Sequence, residues 1–111
     1  MRRGTTPTYV FNLPFSTAMI DDIRVTFVQR KTSLAETRIC KDLSECRLGE
    51  NNVTVTLTQG ETNQFIAGRD ITVQVKVLTV DGSVLASKIR CIPCNGTLCE
   101  EVLFNGERNR I

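Results

Sequence analysis

The side chains best suited to chemistry are the five cysteines, above all Cys91-Ile92-Pro93-Cys94 followed by Cys99. A two-residue spacer has the correct bite for one side of a tetrahedral zinc site, with Cys40 or Cys46 available as a fourth thiolate. The remaining spacing fits poorly. Five residues separate Cys40 from Cys46 and four separate Cys94 from Cys99, whereas structural zinc favours two compact knuckles. A disulfide between Cys91 and Cys94 is strained if both lie on one extended strand, where about 3.3 Å per residue puts their Cα atoms roughly 10 Å apart. A turn at Pro93 removes that objection. An odd number of thiols cannot pair completely within one chain. Packing as small apolar side chains, or plain exposure, is the simplest assignment.

Histidine is absent, which removes the most usual general base, the Ser-His and Cys-His dyads and every imidazole metal site. Carboxylates adjoin at Asp21-Asp22 and Glu100-Glu101, yet adjacent strand residues point to opposite faces and cannot converge. Gly68 and Gly82 stand alone in turns, so no glycine-rich phosphate loop exists. The expectation is a protein that is not an enzyme, with no catalytic residue, no metal, no cofactor and no small-molecule substrate.

Charge and hydropathy narrow the partners. Fourteen Lys plus Arg against 12 acidic residues leave +2, too balanced for a dedicated nucleic-acid binder. No apolar run approaches the ~20 residues of a membrane-spanning helix, so no membrane partner is expected. Gly4-Thr5-Thr6-Pro7 follows Met1-Arg2-Arg3 where a secretory signal has its apolar stretch. That points to a reducing compartment with free thiols. The basic residues near the ends, Arg2, Arg3, Arg108 and Arg110, read as solvated tails.

Any working surface must be positioned by short strands. Ile71, Val73, Val75 and Val77 alternate with Thr72, Gln74 and Lys76, and beyond Asp81-Gly82 a second run sets Leu85, Ile89 and Cys91 on one side. Bringing both inward sets to one face requires Thr79 opposite Ser83, hence a three-residue loop, Val80-Asp81-Gly82, closed by Gly82 in the left-handed region. Tyr9, Phe11 and Leu13 mark a strand from Thr8 to Leu13, ended by Pro14, and Ile23, Val25 and Phe27 mark another. Gln29 to Ser33 reads as a turn. Leu34 to Ile39 is a weaker edge strand, with Glu36 and Arg38 charging one face. Lys41 to Asn52 reads as a loop, followed by a strand through Val53, Val55 and Leu57. Thr58-Gln59-Gly60-Glu61 matches a capping box that opens a brief helix to about Phe65, the apolar plug. Ile92 to Thr97 is rich in turn formers, Leu98 to Phe104 is a last strand or arm, and Asn105 to Ile111 frays.

At 111 residues the chain makes one domain. The pattern predicts an all-β fold, a single antiparallel sandwich of immunoglobulin-like type with one short helical turn. Residues 1–7 form an extended leader and residues from about 92 to 111 a carboxyl-terminal arm. Val10, Val28, Leu78 and Val84 fall on outward faces, Leu78 and Val84 pairing near the hairpin tip. Such patches can meet neighbouring subunits.

Four segments together resemble small proteins encoded by tailed phages and prophages of Gram-positive bacteria. They are Arg2-Arg3-Gly4-Thr5-Thr6-Pro7-Thr8, Asn12-Leu13-Pro14-Phe15, Leu57-Thr58-Gln59-Gly60-Glu61-Thr62, and the run from Val73-Gln74-Val75-Lys76-Val77 to Leu85-Ala86-Ser87. The resemblance covers nearly the full length, departing at Cys91 to Cys99 and after Leu103. It implies a small β-sandwich encoded among virion structural genes and carries over no catalytic residue; the leading expectation is a virion structural protein associated with the tail or baseplate. A capsid decoration or neck (head–tail connector) protein is the nearest alternative, and a zinc-bound adaptor built on Cys91, Cys94 and Cys99 another. The expected partners are other virion proteins or copies of the same chain. The expected interface is Arg2, Arg3, Thr5, Thr6 and Pro7 in the leader, Leu78 and Val84 on the hairpin, and Leu103 and Phe104 in the arm, since extended arms can add strands to a neighbour's sheet.

Overall fold

A computed structural model describes residues 1–97 as two antiparallel sheets packed over one core. The smaller sheet orders β1 (Thr8–Asn12), β5 (Asn52–Thr56) and β4 (Arg47–Leu48). The larger orders β3 (Glu36–Lys41), β2 (Ile20–Arg30) and β6 (Ile71–Thr79), with β7 (Val84–Ala86) and β8 (Arg90–Ile92) pairing to successive parts of β6. One α-helical turn, α1 (Gln59–Thr62), returns the chain from the small sheet to the large one, and 3-10 turns occupy Thr17–Met19 and Leu43–Glu45. The all-β sandwich with a short helical turn is as expected. Its strand order is its own. An immunoglobulin domain keeps its second strand in the sheet of its first, whereas β2 lies between β3 and β6. The connection after Leu13 carries the chain across, stapled by Thr17 N–H to the Glu50 carbonyl at 2.9 Å.

Alternation explains the core. Ile23, Val25 and Phe27 of β2 and Ile71, Val73, Val75 and Val77 of β6 face Val53 and Val55 of β5, and all are buried together with Leu57 and Phe65. The Tyr9 and Phe27 rings, 5.7 Å apart and tilted, join the sheets in a favourable aromatic geometry. Burial pushes the Tyr9 hydroxyl above its ordinary pKa, with the neighbouring Cys94 acting in the same direction. The capping box is present: Thr58 Oγ1 accepts the Glu61 N–H and Glu61 accepts the Thr58 N–H at 2.8 Å. The helix stops at Thr62 rather than near Phe65, and Phe65 is the buried plug.

The β6–β7 hairpin has the expected register. Leu78 pairs with Val84 and Val77 with Leu85, Thr79 N–H donates to Ser83 O at 2.8 Å, and Gly82 takes a φ of 90°. Nothing lies within 4 Å of a Cβ added at Gly82, so Gly82→Ala should lower stability through backbone strain alone, by about 1 kcal/mol. A urea midpoint shifted down with unchanged slope is the expected reading, and an unshifted midpoint would refute it.

Three expectations are corrected. From Lys76 to Val73 β6 advances three residues, while its partners Ala86 and Arg90 are four apart. That extra residue is a bulge, and it exchanges the faces beyond it. Ile89 is therefore 64% exposed, and Cys91 lies opposite Thr72 on the outer face. Ser87 stabilises the bulge by accepting the Val75 N–H on its hydroxyl at 3.0 Å. Gln29 belongs to no turn. It lies in β2, fully buried, and the chain reverses after it, with Lys31 N–H bonded to Ala35 O. Lys41, assigned to a loop, ends β3 and is buried. β3 lies at the sheet edge, as expected.

Candidate docking surface

Among the large apolar side chains left exposed, Val80, Val84 and Leu85 lie on the β6–β7 hairpin and Ile89 beside it, while Val10, Met19, Leu34, Leu48 and Ile66 are scattered elsewhere. Even-numbered residues of β6 face outward, so Leu78 meets Val84 across the strands. Val84 is 58% exposed, and Val80 at the turn is 61% exposed. The turn is rigidly held. Thr79 Oγ1 donates to the Asp81 carboxylate, and Ser83 N–H donates to the same oxygen at 3.0 Å. The Thr79 hydroxyl, with the Ser83 amide, holds the Asp81 carboxyl below its usual pKa.

Beside this pair a shallow cleft of about 240 Å³ runs past Arg24, Asp22 and Lys76. Arg24 Nη1 bonds Asp22 Oδ1 at 2.7 Å and the Ile23 carbonyl at 2.8 Å. That hydrogen bond is the largest cause of the lowered Asp22 pKa. The arrangement offers a fixed apolar centre with a charged rim, the anatomy of a protein-binding patch.

The leader departs from expectation. It is bonded to its own domain at the other end of the large sheet. Arg2 pairs with Asn95 in a parallel bridge and its guanidinium donates to Gly96 O at 2.8 Å. Arg3 donates to Phe65 O at 2.5 Å and Asn63 O at 3.1 Å. Thr5 O accepts the Thr62 hydroxyl at 2.8 Å, and Pro7 O accepts the Leu57 N–H at 3.0 Å. Thr6 is exposed. Arg2 and Arg3 are therefore not solvated tails, because unpaired carbonyls of the Asn63–Phe65 and Asn95–Gly96 segments supply acceptors that the linear pattern does not reveal. Eight steps of β6 at ~3.3 Å put about 26 Å between Ile71, at the leader's end, and Thr79 at the hairpin. The structure thus brings Leu78 and Val84 together and keeps the leader residues apart from them. Leu103, Phe104 and the arm from Leu98 lie outside the described residues.

The cysteines do not converge. Cys40 and Cys91 are both exposed on the outer face of the large sheet. β2 and β6 lie between them, so three strand spacings of ~4.8 Å separate them by about 14 Å, beyond disulfide reach. Cys94 is buried, and burial pushes its thiol above the ordinary pKa. Cys46 is half-buried and raised by the same cause. Among the described residues no three metal-ligating side chains cluster; Cys99 lies outside them.

No family model, curated protein or solved structure matches this chain.

A second apolar surface was not foreseen. A groove of about 290 Å³ runs between the end of β1 and β7, lined by Leu13, Pro14, Phe15, Val77 and Leu85. Among the described residues the small sheet ends at β1, and Leu85, on the core-facing side, is left 45% exposed. Only the relative placement of two sheet edges creates it. No local pattern could have signalled it.

Proposed function

We propose that this chain is a non-enzymatic structural protein of a phage particle, associated with the tail or baseplate, and that it acts by docking to other virion proteins or to copies of itself. The resemblance of its leader and strand motifs to small phage proteins supports the virion setting. One observation supports the docking mode: four of the large exposed apolar side chains, Val80, Val84, Leu85 and Ile89, fall within ten residues on and beside one rigid hairpin. Each contact of this kind is weak, and symmetric repetition in a ring or shell makes the sum large.

Val80→Lys combined with Val84→Lys tests the reading. Both sites are exposed, so each substitution should leave stability within about 0.5 kcal/mol. Incorporation into assembling particles should fall at least about tenfold, the consequence of losing about 1.4 kcal/mol per contact. Equal incorporation of a folded variant would overturn the docking surface. Labelling of assembled particles separates a tail or baseplate position from a capsid or neck one.

A further inference from the structure

β3 is an open edge whose exposed face complements itself. Lys31 N–H donates to Ala35 O at 2.9 Å, and Arg30 pairs with Glu36 beside it, so Ala35 and the odd-numbered residues of β3 exchange their backbone bonds with β2. The N–H and C=O groups of Glu36, Arg38 and Cys40 therefore turn away from the sheet, where no described strand meets them. Burial alternates along the strand, with Thr37, Ile39 and Lys41 inward and Glu36, Arg38 and Cys40 exposed on one face. The Thr37 hydroxyl donates to Gln64 O at 3.2 Å, which ties the edge to the segment after α1.

Exposed charges usually guard such an edge against pairing. Here they alternate in sign. Arg38 Nε donates to Glu36 Oε2 at 2.9 Å, and Nη2 lies 2.8 Å from the same oxygen, which leaves Glu36 Oε1 and Arg38 Nη1 to accept and donate elsewhere. A second copy of the strand, laid antiparallel about a two-fold axis, must keep exposed side chains on the exposed face and set outward backbone against outward backbone. Only registers that place even-numbered residues opposite even-numbered ones do both. Glu36 opposite itself, or Arg38 opposite itself, puts like charges directly across, which destabilises. Arg38 opposite Cys40 pairs no charges. With Thr37 on the axis, Glu36 falls opposite Arg38 of the second copy, twice. The attractive contacts then take the direct spacing of about 5 Å and the repulsive ones the diagonal of about 7–8 Å. The same register sets Cys40 opposite Leu34 of the second copy, the residue that stands 97% exposed in the turn before β3.

We propose that β3 joins two copies of this chain edge to edge in that register, so that the large sheet runs through the dimer. A second copy fits better than a foreign strand because the order acid then cation is its own complement about a two-fold axis, the commonest symmetry of self-association. One short strand from each copy makes a small contact, so the dimer dissociates on dilution. The inference goes beyond the docking reading and does not depend on it, since β3 and the β6–β7 hairpin lie at opposite edges of the large sheet.

Sedimentation and residue-resolved amide exchange of the full chain, from about 10 μM to about 1 mM, test it. The Glu36 and Arg38 amides should exchange fast in the dilute monomer and at least about tenfold more slowly in the concentrated dimer, while the Val75 amide stays slow throughout. Glu36→Arg and Arg38→Glu, each an exposed substitution that sets like charges across the axis, should each weaken self-association at least about tenfold. An equimolar mixture of the two variants, in which every opposing pair is again an acid and a cation, should recover it as a heterodimer. Recovery in the mixture, with slowed Glu36 and Arg38 amides, supports the proposal. A chain that stays monomeric at about 1 mM overturns it, as does a dimer indifferent to both charge reversals or a mixture that fails to recover. A dimer lost on Val80→Lys with Val84→Lys places the contact at the hairpin, which overturns the edge pairing and leaves the docking reading standing.

Discussion

Gln29→Leu should lower the unfolding free energy by about 3 kcal/mol, although leucine matches glutamine in size and is more apolar. The Gln29 amide is fully buried at the end of β2. Its Nε2 donates to the carbonyls of Ile66 and Arg69 at 2.8 and 3.0 Å, and its Oε1 accepts the Ile66 N–H at 2.7 Å. One side chain thus satisfies three backbone groups of the segment that leads from α1 into β6. Leucine would leave all three unpaired, at about 1–3 kcal/mol for each group that stays buried. The exposure of Ile66 and Arg69 lets water recover part of that loss. A fully buried aliphatic side chain offsets about 2 kcal/mol more. With a urea slope near 1.5 kcal/mol/M, the midpoint should fall by about 2 M. A fall of less than about 0.5 M would mean that water replaces the amide with little loss, and the side chain would then be no staple.

The contrast between Gln29 and the hairpin shows what the linear pattern carries. The pairing of Thr79 with Ser83 was readable because the inward sets of two adjacent strands fix their relative register within a few residues. The capping box at Thr58 and Glu61 was readable for the same reason, its partners being three positions apart. Gln29 looked like the start of a turn because a polar residue beside Arg30 and Lys31 usually is one. Its partners are 37 and 40 residues away, and only the folded sheet brings them close. The bulge at Ser87 failed to show because one added residue leaves no mark in an apolar-polar alternation until the partner strand is known. The pairing of Leu78 with Val84 on the outer face of the hairpin was legible from alternation. The groove between β1 and β7 was not, since it is made by how the two sheets are placed relative to each other.

Lys41 gives the second large effect, and its size changes with pH. The ammonium is buried at the end of β3, 2.6 Å from Glu61 Oε2 and 3.6 Å from Glu45 Oε2. Those two carboxylates also close the capping boxes begun by Thr58 and Asp42, so one cation ties α1 and the Leu43–Glu45 turn to the large sheet. Lys41→Met keeps most of the apolar stem and removes the charge between two acids. Breaking a buried pair costs about 3–5 kcal/mol; with Glu45 half exposed and Glu61 partly so, about 2 kcal/mol is expected at pH 7. Burial alone would push the Glu61 carboxyl up, but its bond to Lys41, aided by the Thr58 amide, outweighs burial and holds it below the ordinary value. A carboxyl with a lowered folded-state pKa stabilises fully above its unfolded pKa, about 4.3, and the contribution fades as pH falls through the folded value. The wild-type chain should therefore lose stability on acidification below about pH 4. The deficit of Lys41→Met should shrink there as Glu61 protonates, and Glu61→Gln should flatten the profile over the same window. Urea midpoints at pH 7, 5 and 3 test all three; a Lys41→Met deficit equal at pH 7 and pH 3 would show that the ammonium contributes through packing and not through its charge.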